Sequence, residues 1–238
     1  MNLGFLNNIT PQEEEEWGNR QLESFQAFFA QANSPVSLTE YRVTEGELPA
    51  LPNEYEAYII SGSAAGAYED KPWILELSKF IQTVYQAGEQ KLVGICFGHQ
   101  ILAHVLGGET QKSSKGWGLG RRELQLGNVP EWMTSIPDVS RSALYYAHQD
   151  QVVRLPEGSI CLAGNDFCSF EMFTLRNQVF GIQGHPEFSD AIAQTTVNFL
   201  RDRVPEDIGE AAEYSLRQGS AAGALVAQWI VDFIAYGA

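Results

Sequence analysis

The stretch from Lys91 to Gln100 reads Lys-Leu-Val-Gly-Ile-Cys-Phe-Gly-His-Gln and sets one cysteine, Cys96, between Gly94 and Gly98. Lys91–Ile95 is short, apolar and partly β-branched, the pattern of a buried strand. Ile101–Leu106 carries helical apolar spacing and stops at Gly107-Gly108, a C-terminal cap. Cys96 therefore falls at a strand-to-helix corner of the Gly-x-nucleophile-x-Gly kind, with Cys in place of Ser. Such a turn is too tight for side chains at its flanks, and it aims the first amides of the helix at the sulfur. Their partial positive charge favours a nucleophilic anion and a developing oxyanion. A free cysteine is also a good small core residue, so Cys96 alone leaves packing and chemistry both open.

Val179–Phe188 supplies the partners. It reads as a strand running into His185-Pro186-Glu187. Proline holds the backbone extended and biases His185 toward β geometry, and side chains two apart in an extended segment point the same way. Glu187 can then hold one imidazole nitrogen of His185 while the other faces outward, which makes a base with a fixed tautomer. With this pair in the same chain, Cys96 reads as a nucleophile, His185 as its base and Glu187 as the orienting carboxylate.

The elements that must position these groups alternate. Leu3–Leu6, Val36–Val43, Ala57–Ile60 and Lys91–Ile95 read as strands, with helices expected over Glu13–Gln31 and Pro72–Gln86. That alternation implies an α/β fold, an open and mostly parallel twisted sheet flanked by helices. After Gly108 the pattern turns to short strands at Glu123–Leu126, Ala143–His148, Ser159–Ala163, Phe170–Leu175 and Val179–Gln183, a small antiparallel extension. Asp190–Arg203 returns to helix. Residues 1–204 are expected to form one domain. Residues 205–238 are expected to add two helices broken near Gly219, docked on the same domain through Leu225, Trp229, Ile230 and Phe233.

Composition narrows the class of partner. Thirty acidic residues against fifteen basic ones give a net charge of −15, which argues against nucleic acid and anionic membranes. Three cysteines are too few, and odd in number, for a disulfide framework. The N-terminus lacks a signal-peptide pattern, and no apolar run approaches the roughly 20 residues of a spanning helix, so a reducing, cytoplasmic setting is expected.

Gly-Ile-Cys-Phe-Gly-His-Gln at 94–100 with His-Pro-Glu at 185–187 resembles the class I, triad-type glutamine amidotransferase family, and Ser-Gly-Ser at 61–63 and Ala-His-Gln-Asp at 147–150 fall in the same order. The likeness covers about residues 1–200. Tyr68-Glu-Asp70, Pro72-Trp-Ile74 and Gly116-Trp-Gly118 resemble the stand-alone, GMP-synthase-like variant that includes the γ-glutamyl peptidases. The resemblance implies a flavodoxin-like fold and cleavage of a γ-glutamyl amide, in glutamine or a γ-glutamyl peptide, through a Cys96 thioester, with no cofactor and no metal. It also implies an oxyanion hole from the Phe97 amide and the Gly62-Ser63 turn, and a glutamyl-binding set of Gln100, Gln149 and Asp150. The oxyanion turn departs from the family's Gly-Gly-Pro: Ser63 and Ala64 follow Gly62, which serves only if no glycine-only geometry is needed there. No Gly-rich phosphate loop with its Lys-Ser/Thr is present, so an ammonia acceptor would be a separate synthase chain, or there is none. A non-catalytic regulatory protein on this fold is the rival of a different class.

Lys112, Lys115, Arg121 and Arg122 cluster around Trp117 and read either as a rim attracting a carboxylate or partner or as a solvated loop. His99 and His104 lack the companions of a metal site, and His99 is expected to be structural.

Overall fold

The structure, a computed structural model, describes residues 1–133 and 142–237; Ala238, the last residue of the expected helical extension, lies outside them. Five strands run parallel: β1 (Asn2–Asn7), β2 (Ser37–Arg42), β3 (Ala57–Ile60), β4 (Lys91–Ile95) and β11 (Val179–Ile182). Two antiparallel strands, β9 (Ser159–Ala163) and β10 (Met172–Leu175), complete a seven-stranded sheet in the order β2-β1-β3-β4-β11-β10-β9. The central strands β3, β4 and β11 are buried at every position, as continuous apolar runs in a sheet covered on both faces should be.

The described α-helices are α1 (Pro11–Trp17), α2 (Gln21–Phe29), α3 (Pro72–Ala87), α4 (Phe97–Val105), α5 (Asp190–Leu200), α6 (Glu206–Leu216) and α7 (Gly223–Ala235), with single 3₁₀ turns besides. Two antiparallel ribbons lie beside the main sheet. One pairs β5 (Glu109–Lys112) with β8 (Asp150–Arg154), and the other pairs β6 (Gly118–Glu123) with β7 (Ala143–His148). This is the α/β architecture with a small antiparallel extension that the strand–helix alternation implied.

Three local readings change. The single helix expected over Glu13–Gln31 is two helices. Thr10 and Glu13 form a reciprocal capping box that starts α1, and Gly18, left-handed at φ 60°, ends it. The break leaves Trp17 at the end of α1, where it lines a cavity beside Cys96. The strand expected at Glu123–Leu126 lies earlier, at β6, because pairing with β7 sets it. Gly118 and Gly120 hide its strand character, yet both are needed: a Cβ on Gly118 would stand 2.6 Å from His148 Nε2, and Gly120 has φ 84°. The short polar strands β5 and β8 have no hydrophobic alternation to announce them; mutual pairing and hydrogen bonds to Gln100 of α4 hold them in place.

The C-terminal helices pack on the rest of the chain. Trp229, Ile230 and Phe233 of α7 are fully buried among α2 phenylalanines and Phe180 of β11. The Phe233 ring centroid lies 5.6 Å from that of Phe180 and 5.1 Å from that of Trp132. α6 lies against β6, where the Arg121 amide donates to Ser215 Oγ at 2.8 Å.

Candidate active site

Parallel strands deliver their carboxyl ends to one edge of the sheet, and three neighbours do so here. Cys96 follows β4, Gly62 follows β3 and His185 follows β11. Cys96 is pinned to the adjoining strand by its amide, which donates to the Ile182 carbonyl at 2.8 Å. It caps α4 with φ 53° and ψ −102°, a conformation that costs a non-glycine residue about 1–3 kcal/mol and persists because its surroundings enforce it. The flanking glycines are forced by contact. A Cβ on Gly94 would fall 2.3 Å from the Gly98 carbonyl, and one on Gly98 would fall 2.1 Å from the Ile60 carbonyl oxygen.

His185 is anchored by its own amide, which donates to the Tyr145 carbonyl at 2.7 Å, tying the end of β11 to β7. Its Nδ1 lies 2.7 Å from Glu187 Oε1, both side chains being almost wholly buried. The Phe188 ring stacks on the imidazole at 4.1 Å between centroids and 18° between planes. Burial alone would push the imidazole pKa down. The negative charges of Glu187 and Cys96, with the hydrogen bonds to both, outweigh that and carry it up to about 10. A proton is thereby held on His185, between the carboxylate and the sulfur, and imidazolium is the form a stacked aromatic ring also favours.

Gly62 faces this pair. A Cβ there would come within 3.2 Å of His185 Cε1 and 3.8 Å of Cys96 Cβ. Among the described residues only Cys96 and Arg176 are non-glycine residues with positive φ, so Ser63 occupies its turn without glycine-only geometry. The amides of Ser63 and Phe97 donate to no described residue.

Gln183 is fully buried, and its Nε2 lies 3.7 Å from Cys96 Sγ. Its Oε1 accepts from Gln100 Nε2 at 3.1 Å, and Gln100 Nε2 also donates to the Asp150 carbonyl at 2.8 Å. The sequence reading passed over Gln183, although the period of two that joins His185 to Glu187 reaches it when run backward.

Two cavities meet at Cys96. One, of about 300 Å³, is lined by Gln100, Gln149 and Asp150 together with Tyr68, Glu69 and Lys112. Burial raises the Asp150 carboxyl pKa. Glu69 is held below the usual carboxylate range by the Gly66 amide and Lys71. Of the four clustered cations only Lys112 lines this cavity. Lys115 binds the Asp166 and Phe167 carbonyls, and Arg122 lies over the Phe167 ring, 4.0 Å from its centroid. The second cavity, of about 170 Å³, is walled by Ile9, Trp17, Trp117, Phe188, Phe199 and Leu200 and contains His185. His99 and His148 are buried, and desolvation holds both at a pKa of about 3, hence neutral, although His148 lines the cavity of about 300 Å³ with Cys96. Among the described residues no group of three or more His, Cys, Asp or Glu could hold a metal ion.

The family model described as glutamine amidotransferase class-I matches residues 29–201. The chain belongs to this family. Among curated relatives it is 34% identical over 158 residues to γ-glutamyl peptidase 3 of Arabidopsis thaliana, covering 64% of this chain and 63% of that protein. The chain thus spans a little under two thirds of the plant peptidase. It is 37% identical over 97 residues to a glutamine-hydrolysing GMP synthase subunit of Archaeoglobus fulgidus, covering 40% of this chain and 51% of that protein. The fold matches a glutamine amidotransferase from Thermotoga maritima with a TM-score of 0.75 and 18% identity, covering 98% of each chain. The class I amidotransferase resemblance carried by the Cys96 and His185 motifs is therefore correct at the level of family and fold. No helix is long and apolar enough to cross a membrane among the described residues.

Proposed function

We propose that this class I amidotransferase homologue hydrolyses a γ-glutamyl amide bond through a thioester on Cys96. The observation that carries the reading is the Cys96–His185–Glu187 line, set at a strained corner where two cavities open on the sulfur. The zwitterionic glutamyl end enters the polar cavity, its ammonium toward Glu69 and Asp150 and its carboxylate toward Lys112. The sulfur attacks the γ-carbonyl carbon, and the oxyanion takes hydrogen bonds from the Phe97 and Ser63 amides. His185 gives its proton to the departing nitrogen as the C–N bond breaks. It then takes a proton from the water that cleaves the thioester, releasing glutamate. Glu187 keeps the imidazole oriented and offsets its charge. Gln183 donates toward the sulfur and holds Gln100. The plant relative named as a γ-glutamyl peptidase supports this chemistry, and three free cysteines fit a reducing, cytoplasmic setting.

A second reading makes the chain an ammonia-supplying subunit for a separate synthase, and similarity to the archaeal GMP synthase subunit favours it. One experiment addresses both. Purified protein is expected to release glutamate from glutamine or a γ-glutamyl dipeptide unaided, and Cys96→Ala to abolish the release. Hydrolysis that persists in Cys96→Ala would refute the thioester. Activity that appears only on adding a synthase would select the subunit reading.

A further inference from the structure

The two cavities that meet at Cys96 differ in chemistry, and the difference assigns a direction to the substrate. Cys96, Ser63, Ala64, Trp117 and Ala147 line both, so the sulfur stands at their junction. Glu69, Lys112 and Asp150 line only the polar one, whereas His185 lines only the other. A general acid must stand on the side of the atom it protonates. The departing nitrogen therefore leaves into the cavity that holds His185, away from the groups suited to the glutamyl zwitterion.

That cavity is far larger than ammonia needs. Its volume is about 170 Å³, while a water-sized molecule takes about 30 Å³ and an apolar cavity of about 150 Å³ accommodates benzene. Its walls are aromatic and aliphatic. Trp17 from the end of α1 meets Phe199 of α5 edge-on at 6.4 Å, and Phe188, Trp117, Ile9 and Leu200 complete them. The polar side chains described there besides the catalytic pair, Asn19, Gln21, Ser63 and Thr196, are uncharged. An ammonium on the leaving group would lose its hydration, gain no anionic partner among the lining side chains and face the protonated His185. An uncharged ring or branched chain would gain from leaving water.

We infer that the cavity walled by Trp17, Trp117, Phe188 and Phe199 is a leaving-group site selecting γ-glutamyl amides whose amine carries an uncharged aromatic or branched aliphatic group. This rests on the hydrolase reading above. Glutamine is then a poor substrate because its leaving group, ammonia, leaves the cavity unfilled.

The test measures glutamate release by the full chain from γ-glutamylmethylamide, γ-glutamylbenzylamide and the cationic γ-glutamyl aminobutylamide. The expected result is kcat/KM for the benzylamide at least about tenfold above the methylamide, in line with what added apolar contact contributes in a pocket, and no gain for the aminobutylamide. Thr196→Trp fills the cavity from α5 and should bring the benzyl-to-methyl ratio toward one. Phe199→Ala opens a wall and should lower the same ratio, which keeps the test valid if the first variant misfolds. Thr196→Glu should raise the aminobutyl-to-benzyl ratio. Equal rates for benzylamide and methylamide, with ratios indifferent to all three variants, would overturn the leaving-group site and leave the hydrolase standing. Release of glutamate from none of the amides would overturn both.

Discussion

Replacing Glu187 by Gln keeps the shape of the His185 partner and removes its charge. Glu187 Oε1 lies 2.7 Å from His185 Nδ1 with both side chains almost wholly buried, so the charge is only partly screened by water. Unit charges about 4 Å apart at an effective dielectric of about 20 attract by about 4 kcal/mol. At about 1.4 kcal/mol per tenfold, that is close to a thousandfold in the protonation of the imidazole. The His185 pKa, raised to about 10 against burial by Glu187 and Cys96, should therefore fall toward its ordinary 6.5. In the proposed mechanism imidazolium delivers the proton to the leaving nitrogen, so activity is lost as pH rises through this pKa. The basic limb of the kcat/KM profile should move from near pH 10 in the native protein to near neutrality in Glu187→Gln. A pKa near 7 leaves about half of the imidazole charged at pH 7, so kcat/KM should drop about twofold there and about a hundredfold by pH 9, where the native protein still carries the imidazolium. The checks are the pH profile of glutamate release and the iodoacetamide alkylation rate of Cys96, which should also fall. A basic limb that does not move, with alkylation unchanged, would refute the assignment of Glu187 as the charge that holds the proton on His185.

Gly98→Ala should cost about 3 kcal/mol or more, because its Cβ would meet the Ile60 carbonyl oxygen at 2.1 Å and neither backbone can yield; a urea titration reads the loss. Trp229→Ala should cost about 3–5 kcal/mol by the same titration, since the indole is fully buried between α7 and the sheet; a loss below about 1 kcal/mol would mean that α7 does not dock on its own chain. Burial pushes the Glu171 carboxyl up to about 7, so the folded state holds its proton more tightly than the unfolded chain does between about pH 4.5 and 7. Stability should fall as pH rises through that window, and Glu171→Gln should remove the fall, gaining about 2–3 kcal/mol at neutral pH in thermal or urea melts.

Much of the site was legible in the chain because its constraints are local. Gly94 and Gly98 announce a corner that no side chain could share, and His185-Pro186-Glu187 sets its own geometry over three residues. The parallel strands β3, β4 and β11 carried a plain signal for the opposite reason: burial on both faces demands unbroken apolar runs. What the chain concealed depends on partners distant in sequence. β6 looks unlike a strand because Gly118 yields room to His148 and Gly120 to α6, and β5 and β8 pair with each other and hydrogen-bond to Gln100 of α4. Gln183 has a role only because β11 lies beside β4 and brings its amide to the Cys96 sulfur.

The sequence by itself placed Cys96 at a tight corner, set His185 beside Glu187 and fixed the order of the motifs, since tight turns and alternating strands are written residue by residue. Tertiary structure alone decided what surrounds the sulfur. Gly18 breaks the first helix and leaves Trp17 at its end, α5 brings Phe199 against Trp17, and the loop before β6 adds Trp117. Those three aromatics are about a hundred and eighty residues apart at the extremes, and no periodicity links them. Only the packing of α1 and α5 around the edge of the sheet sets an apolar cavity on one side of Cys96 and a charged one on the other.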